Sequence, residues 1–199
     1  MNGIYPKVDF VYSYIYDSTL ADLTGKKYEN KERIEAANYI KNMDKEFSKN
    51  SDDIIKGISN VSGLEWQEPL IHVYISKYAP YSFSVPLTLK IYKEAKFGTA
   101  ILVHELVHNI LFQNQRRIKY KKLFEDFKDE DITTKYHIIE GAILYKLNEM
   151  MFSDGLGGFF KYDNWNSEKA SEEYRKAIKI VIKQNPDNII KRYIVNSTK

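Results

Sequence analysis

The chain has 199 residues, 43% of them apolar, enough for one domain with a substantial core and too many for a disordered segment. Thirty basic against 27 acidic side chains leave a net charge of +3, too small to imply a nucleic-acid or membrane partner. The lack of cysteine excludes disulfides, thiol redox chemistry and cysteine-ligated metal, and no leader-like or ~18-residue apolar stretch is present, so the expectation is a cytoplasmic single domain over residues 1–199.

In chain order, Val8 to Tyr16 is rich in β-branched and aromatic side chains and alternates in part, which predicts a strand. From Asn30 to Lys49, Ile34, Ala37, Ile40 and Phe47 recur at helical spacing, and a shorter helix is expected from Asp52 to Val61. Leu70 to Ser76 reads as a strand bounded by Pro69 and a turn at Tyr78 to Pro80, with Ser84 to Tyr92 as its antiparallel partner. Alternation puts His72 on the face opposite Ile71 and Val73, where an ordinary surface histidine is a plainer reading than a ligand.

The next stretch, Ile101 to Ile110, holds two of the four histidines on either side of a glutamate. Gly98 and Thr99 offer an N-cap, and neither proline nor glycine interrupts Ala100 to Gln113. Leu102, Val103, Leu106, Val107, Ile110 and Leu111 cover most of the circumference, so this helix should be central and buried. His104 and His108 then stand about 40° apart around the axis and roughly 6 Å along it, so that one metal ion can take both imidazoles. Glu105 projects ~100° from His104, within reach of a water at the metal and poorly placed to ligate, which is the position of a general base.

A catalytic zinc needs three protein ligands and an open position. A third histidine six residues after the second would fall at Asn114, which excludes that pattern. The next candidates lie in Tyr136 to Tyr145, where Glu140 sits among Ile138, Ile139, Ala142 and Ile143, and His137 is three residues away on a neighbouring helical face. Either Glu140 or His137 can serve as third ligand. Asp131 is expected to cap this helix, which should run to about Phe152.

Between the two helices, Arg116 to Lys122 is strongly basic, but Glu125, Asp126, Asp129, Glu130 and Asp131 follow at once. A solvated, self-balancing helical face is favoured over a nucleic-acid surface. The glycine cluster from Asp154 to Gly158 reads as a turn and not a phosphate loop. An amphipathic helix starting at Asn166 or Ser167 and ending at Pro186, then a terminal helix from Asp187 to Val195, complete an α+β chain.

The sequence His104-Glu-Leu-Val-His108, followed by Glu140-Gly141 and then Tyr145, resembles the gluzincin branch of zinc metallopeptidases, of which thermolysin and aminopeptidases are members. The resemblance covers these two helices only. It departs from the family at Ile143, where alanine is usual, and at Leu144, where an acidic residue is common. It implies a zincin-like fold, a small antiparallel or mixed sheet packed on helices around a central HExxH helix, with substrate backbone adding to an edge strand. It implies one zinc ion per chain held by His104, His108 and Glu140, Glu105 as the base that activates water, and hydrolysis of a peptide or protein substrate. Tyr136, His137 and Tyr145 are the nearby candidates to stabilise the oxyanion. The competing reading is a catalytically silent zincin-like domain that binds metal or a protein partner.

Overall fold

The first apolar run splits into two elements. In the computed structural model, which describes residues 4–152, 158–159 and 171–195, strand β1 covers only Lys7–Val11 and helix α1 begins at once, over Tyr14–Leu23. Ser13 sets the boundary. Its backbone is extended and its Oγ accepts from the Tyr16 amide at 3.3 Å, an N-cap that outweighs the strand preference of Tyr14, Ile15 and Tyr16. Helix α1 also carries the fully buried Asp17, whose Oδ1 accepts from Ser76 Oγ at 2.5 Å and from the amides of Lys77 and Tyr78 at 3.1 and 3.3 Å.

Helices α2 (Lys31–Phe47) and α3 (Ser51–Ser62) lie where periodicity places them. The buried stripe of α2 is rotated from the expected one: Ala36, Tyr39, Met43 and Phe47 face the core, while Ala37 is exposed and Ile34 is 68% exposed. The cause lies in the metal-motif helix α4 (Ala95–Gln113). Tyr39 and Met43 pack directly over Gly98, where a Cβ would stand 2.2 Å from Tyr39 Oη and 2.8 Å from Met43 Sδ. Gly98 and Thr99 therefore lie inside α4 and do not cap it; the helix starts after Glu94, whose backbone is extended.

The sheet contains β2 (Leu70–Ser76), β3 (Phe83–Ser84) and β4 (Leu87–Lys90) besides β1, in the order β1-β2-β4-β3. β4 runs parallel to β2, which corrects the expected antiparallel pairing. Between Ser76 and Leu87 the chain reverses twice, so β4 regains the direction of β2 and the antiparallel neighbour of β4 is the short edge strand β3. Ile71, Val73 and Ile75 point into the core. His72 lies on the opposite face, half-exposed, with Nδ1 3.2 Å from Asp9 of β1. It is a surface residue.

Past α4 come a 3-10 turn at Gln115–Arg117, then α5 (Tyr120–Asp126), α6 (Ile132–Phe152), α7 (Glu172–Gln184) and α8 (Pro186–Tyr193). The described residues thus form an α+β fold of eight α-helices and a small mixed sheet. The basic run does not form one helical face. Arg117 donates from Nη2 to the carbonyls of Gly63 and Val195 at 3.0 and 2.9 Å, and Ile118 bridges to Ile194.

Asp131 caps α6 as expected, its Oδ1 accepting from the Thr134 amide at 2.8 Å. The anticipated helix start at Asn166 or Ser167 and the glycine-cluster residues 154–157 lie outside the described residues; α7 is capped by Ser171. Pro186 opens α8 in its first turn. Among the described residues no helix is long and apolar enough to cross a membrane. At the centre is α4, with Leu102, Val103, Leu106, Val107 and Ile110 fully buried against the sheet, α2 and α6.

Candidate metal centre

Two helices build the site. α4 supplies His104 and Glu105, both buried, and His108, which keeps some exposure; α6 supplies His137, buried, and Glu140, fully buried. Both helices carry long buried apolar runs, and their polar side chains meet where the two helices face one another. One donor atom from each of His104, His108, His137 and Glu140 lies within 4.8 Å of the rest, close enough to bind a metal ion. The HExxH spacing and the helix of Glu140 are thereby brought together as the sequence led us to expect.

The finer geometry bears on what such an ion would meet. Nε2 of His104 and Nε2 of His108 are 3.2 Å apart. Two nitrogens on one tetrahedral zinc, each at about 2.05 Å, are separated by ~3.3 Å, so this pair fits a shared cation. The donor set is three imidazoles and a carboxylate with no thiolate, which suits zinc and its late first-row neighbours better than magnesium or calcium. Ring centroids are 4.9 Å apart for His104 and His108, 5.0 Å for His108 and His137, and 5.6 Å for His104 and His137.

Burial, and after it the adjacent His104 and His137 imidazoles, push the pKa of His108 well below the usual histidine range. It stays in the neutral form that ligates metal. His137 is oriented by its own helix: Nδ1 lies 2.7 Å from the Thr133 carbonyl oxygen. A carbonyl only accepts, so Nδ1 carries the hydrogen and Nε2 carries the lone pair. On the other side, Nδ1 of His104 lies 3.5 Å from Oε1 of Glu140.

Two of the aromatic candidates are placed elsewhere. Tyr136 is exposed and packs on Tyr120 and Phe124 of α5, with ring centroids at 5.6 and 5.3 Å. Tyr145, five residues past Glu140 and so ~140° around the helix, is half-buried against the apolar core. Among the described residues, a phenol that stands against the imidazoles is that of Tyr174 of α7, 4.3 Å from the His137 ring and 6.1 Å from that of His104. From the sequence it reads as one more apolar position of an amphipathic helix. Only the docking of α7 on α6, sealed where Thr134 Oγ1 donates to the Glu173 carbonyl at 3.2 Å, brings it here.

The edge strand also approaches. Asn109, the residue after His108, donates from Nδ2 to the Ser84 carbonyl of β3 at 3.2 Å. No family model, curated protein or solved structure matches the chain.

Proposed function

We propose that the chain is a zinc-dependent metallopeptidase of zincin-like arrangement, close in pattern to the gluzincins, acting on a peptide or protein substrate. The observation that carries this reading is the meeting of His104 and His108 of α4 with His137 and Glu140 of α6, with Glu105 buried on the same helix one residue after His104. Zinc would be held by His104, His108 and a third donor from α6, which the gluzincin pattern assigns to Glu140. When bound, zinc supplies Lewis acidity, polarising a carbonyl and making a water acidic near neutral pH.

The chain's own residues do the rest. Glu105, buried beside His104, takes a proton from the attacking water and passes it to the leaving amine. The Tyr174 hydroxyl donates to the carbonyl oxygen as negative charge develops there. The outer edge of β3, tied to α4 through Asn109, takes the substrate backbone as an added strand and lays it along the metal helix. A metal-content measurement on untagged protein, joined to a peptide-library screen, tests the reading. One zinc per chain and cleavage blocked by a chelator are expected. Glu105→Gln should retain the metal and lose turnover by about 10²–10⁴-fold, and full activity in that variant would remove Glu105 from the mechanism.

A second reading has its own observation. Four donors converge, one more than a catalytic zinc needs, and a fully ligated ion is the mark of a structural site. A catalytically silent metal-binding domain would hold zinc tightly, cleave nothing in the screen, and be indifferent to Glu105→Gln.

A further inference from the structure

Strand β3 is too short to hold its own place. It has two residues, pairs with β4 at two positions and lies at the edge of the sheet, and so short a ladder fixes a strand weakly. A chain of carboxamides on α4 supplies a second hold. Asn109, the residue after His108, donates from Nδ2 to the Ser84 carbonyl at 3.2 Å. Its Oδ1 accepts from Gln113 Nε2 at 2.7 Å, and Gln113 Oε1 accepts from the Gln67 amide at 2.8 Å. The two ends decide the direction. A carbonyl only accepts and an amide N–H only donates, so neither carboxamide can be turned round without setting like against like. The far end is itself anchored: Trp66 is buried with its indole N–H on the Ile55 carbonyl at 3.1 Å, and Asn114 donates to the Glu65 carbonyl at 2.9 Å.

We propose that Asn109 and Gln113, both half-buried and one helical turn apart, act together as positioning residues. Their relay fixes β3 relative to His108 and so sets where an extended peptide added to that edge crosses the metal helix. The part in substrate binding rests on the metallopeptidase reading; the hold on β3 does not. A strand that spends part of its time displaced lowers the fraction of binding-competent protein. Apparent affinity then falls by that fraction, while the bound complex reacts as before.

Amide hydrogen exchange on wild type, Asn109→Ala, Gln113→Glu and the double variant reads the hold on β3 without any need for activity. At neutral pH Gln113→Glu keeps the native shape and the acceptor for Gln67 but loses the donor to Asn109. Exchange across residues 82–90 should quicken by about 2–12-fold in each single variant, the factor one hydrogen bond is worth, with α6 exchanging as in wild type. The double variant should match the larger single effect, because a relay broken once is broken. In peptide cleavage KM should rise within the same range and kcat stay at the wild-type value. Wild-type protection of 82–90 in Gln113→Glu overturns the relay, and so do additive effects in the double variant. A loosened β3 with unchanged KM overturns its part in placing substrate. Wild type that cleaves no peptide would instead overturn the metallopeptidase reading and leave the exchange rates to decide the relay.

Discussion

Asp17 is a buried charge whose hydrogen bonds tie α1 to the loop leaving β2. Its Oδ1 serves the Ser76 hydroxyl and two backbone amides, and Tyr12 donates to Oδ2 at 3.3 Å. Asp17→Ala would take this acceptor from the buried Ser76 hydroxyl and the Lys77 amide, while the Tyr78 amide keeps Ser76 Oγ at 3.1 Å and Tyr12 keeps Tyr28 at 3.0 Å, and should cost about 2–3 kcal/mol in urea unfolding; a loss within error would make the network incidental. Asp126 gives the pH-dependent case. The hydrogen bond from Tyr193 Oη, at 2.8 Å, and the Arg192 guanidinium hold its carboxyl below the usual aspartate range. A depressed folded-state pKa contributes stability above the unfolded value and loses it as pH falls through the folded one. Tyr193→Phe should therefore destabilise by about 1 kcal/mol at neutral pH, and the gap to wild type should narrow once pH drops below the ordinary carboxylate range. An unchanged gap at acid pH would assign the effect to packing of the buried ring. The legibility of single residues follows the same division between local and distant causes. His104, Glu105 and His108 share one helical face by spacing alone and are readable from the sequence. Asp17 and Tyr174 are not, because their partners come from loops and helices far along the chain.

At the scale of elements, helices were readable where an apolar period or a side-chain cap marked them. α6 announces itself through Asp131 and its periodic isoleucines, and Leu70 to Ser76 is a strand by alternation and flanking turns. What periodicity does not contain is direction and rotation. The parallel course of β4 is decided by a double reversal between Ser76 and Leu87, and the rotation of α2 by its close crossing with α4. That crossing is open to test. Gly98→Ala raises helix propensity by up to ~1 kcal/mol, yet its Cβ would overlap Tyr39 Oη, on a buried ring with little room to move, and Met43 Sδ. Overpacking of this kind costs about 1–3 kcal/mol, so the variant should be less stable than wild type despite the better helix former. Removing the clashing hydroxyl should relieve it. A double-mutant cycle with Tyr39→Phe is expected to show favourable coupling, and strict additivity would mean that the two helices do not meet as described.

For the whole molecule, the question is whether an ion at the proposed site would build the fold or sit on a fold already made. The contact between α4 and α6 answers it. Around the polar cluster the two helices bury Leu102, Leu106, Val107 and Ile110 on one side and Ile138, Ile139, Ala142 and Ile143 on the other, within a core that continues through α2, α3 and the sheet. Apolar burial on this scale gives the chain a folded state without an ion, unlike small domains that a structural zinc must assemble. If the proposed zinc site is correct, zinc should then act as a ligand of the folded protein and raise its stability by mass action. At a free concentration 100 times the dissociation constant the gain is ~2.7 kcal/mol, which for a domain of this size is a melting-temperature increase of roughly 5–11 °C. Chelator should return the midpoint to the lower value while leaving the circular dichroism of a folded protein. His104→Ala should melt at one temperature with or without zinc. Collapse of the wild type on chelation would mean that the two helices need the ion to face one another, and that the apolar core alone does not hold them in place.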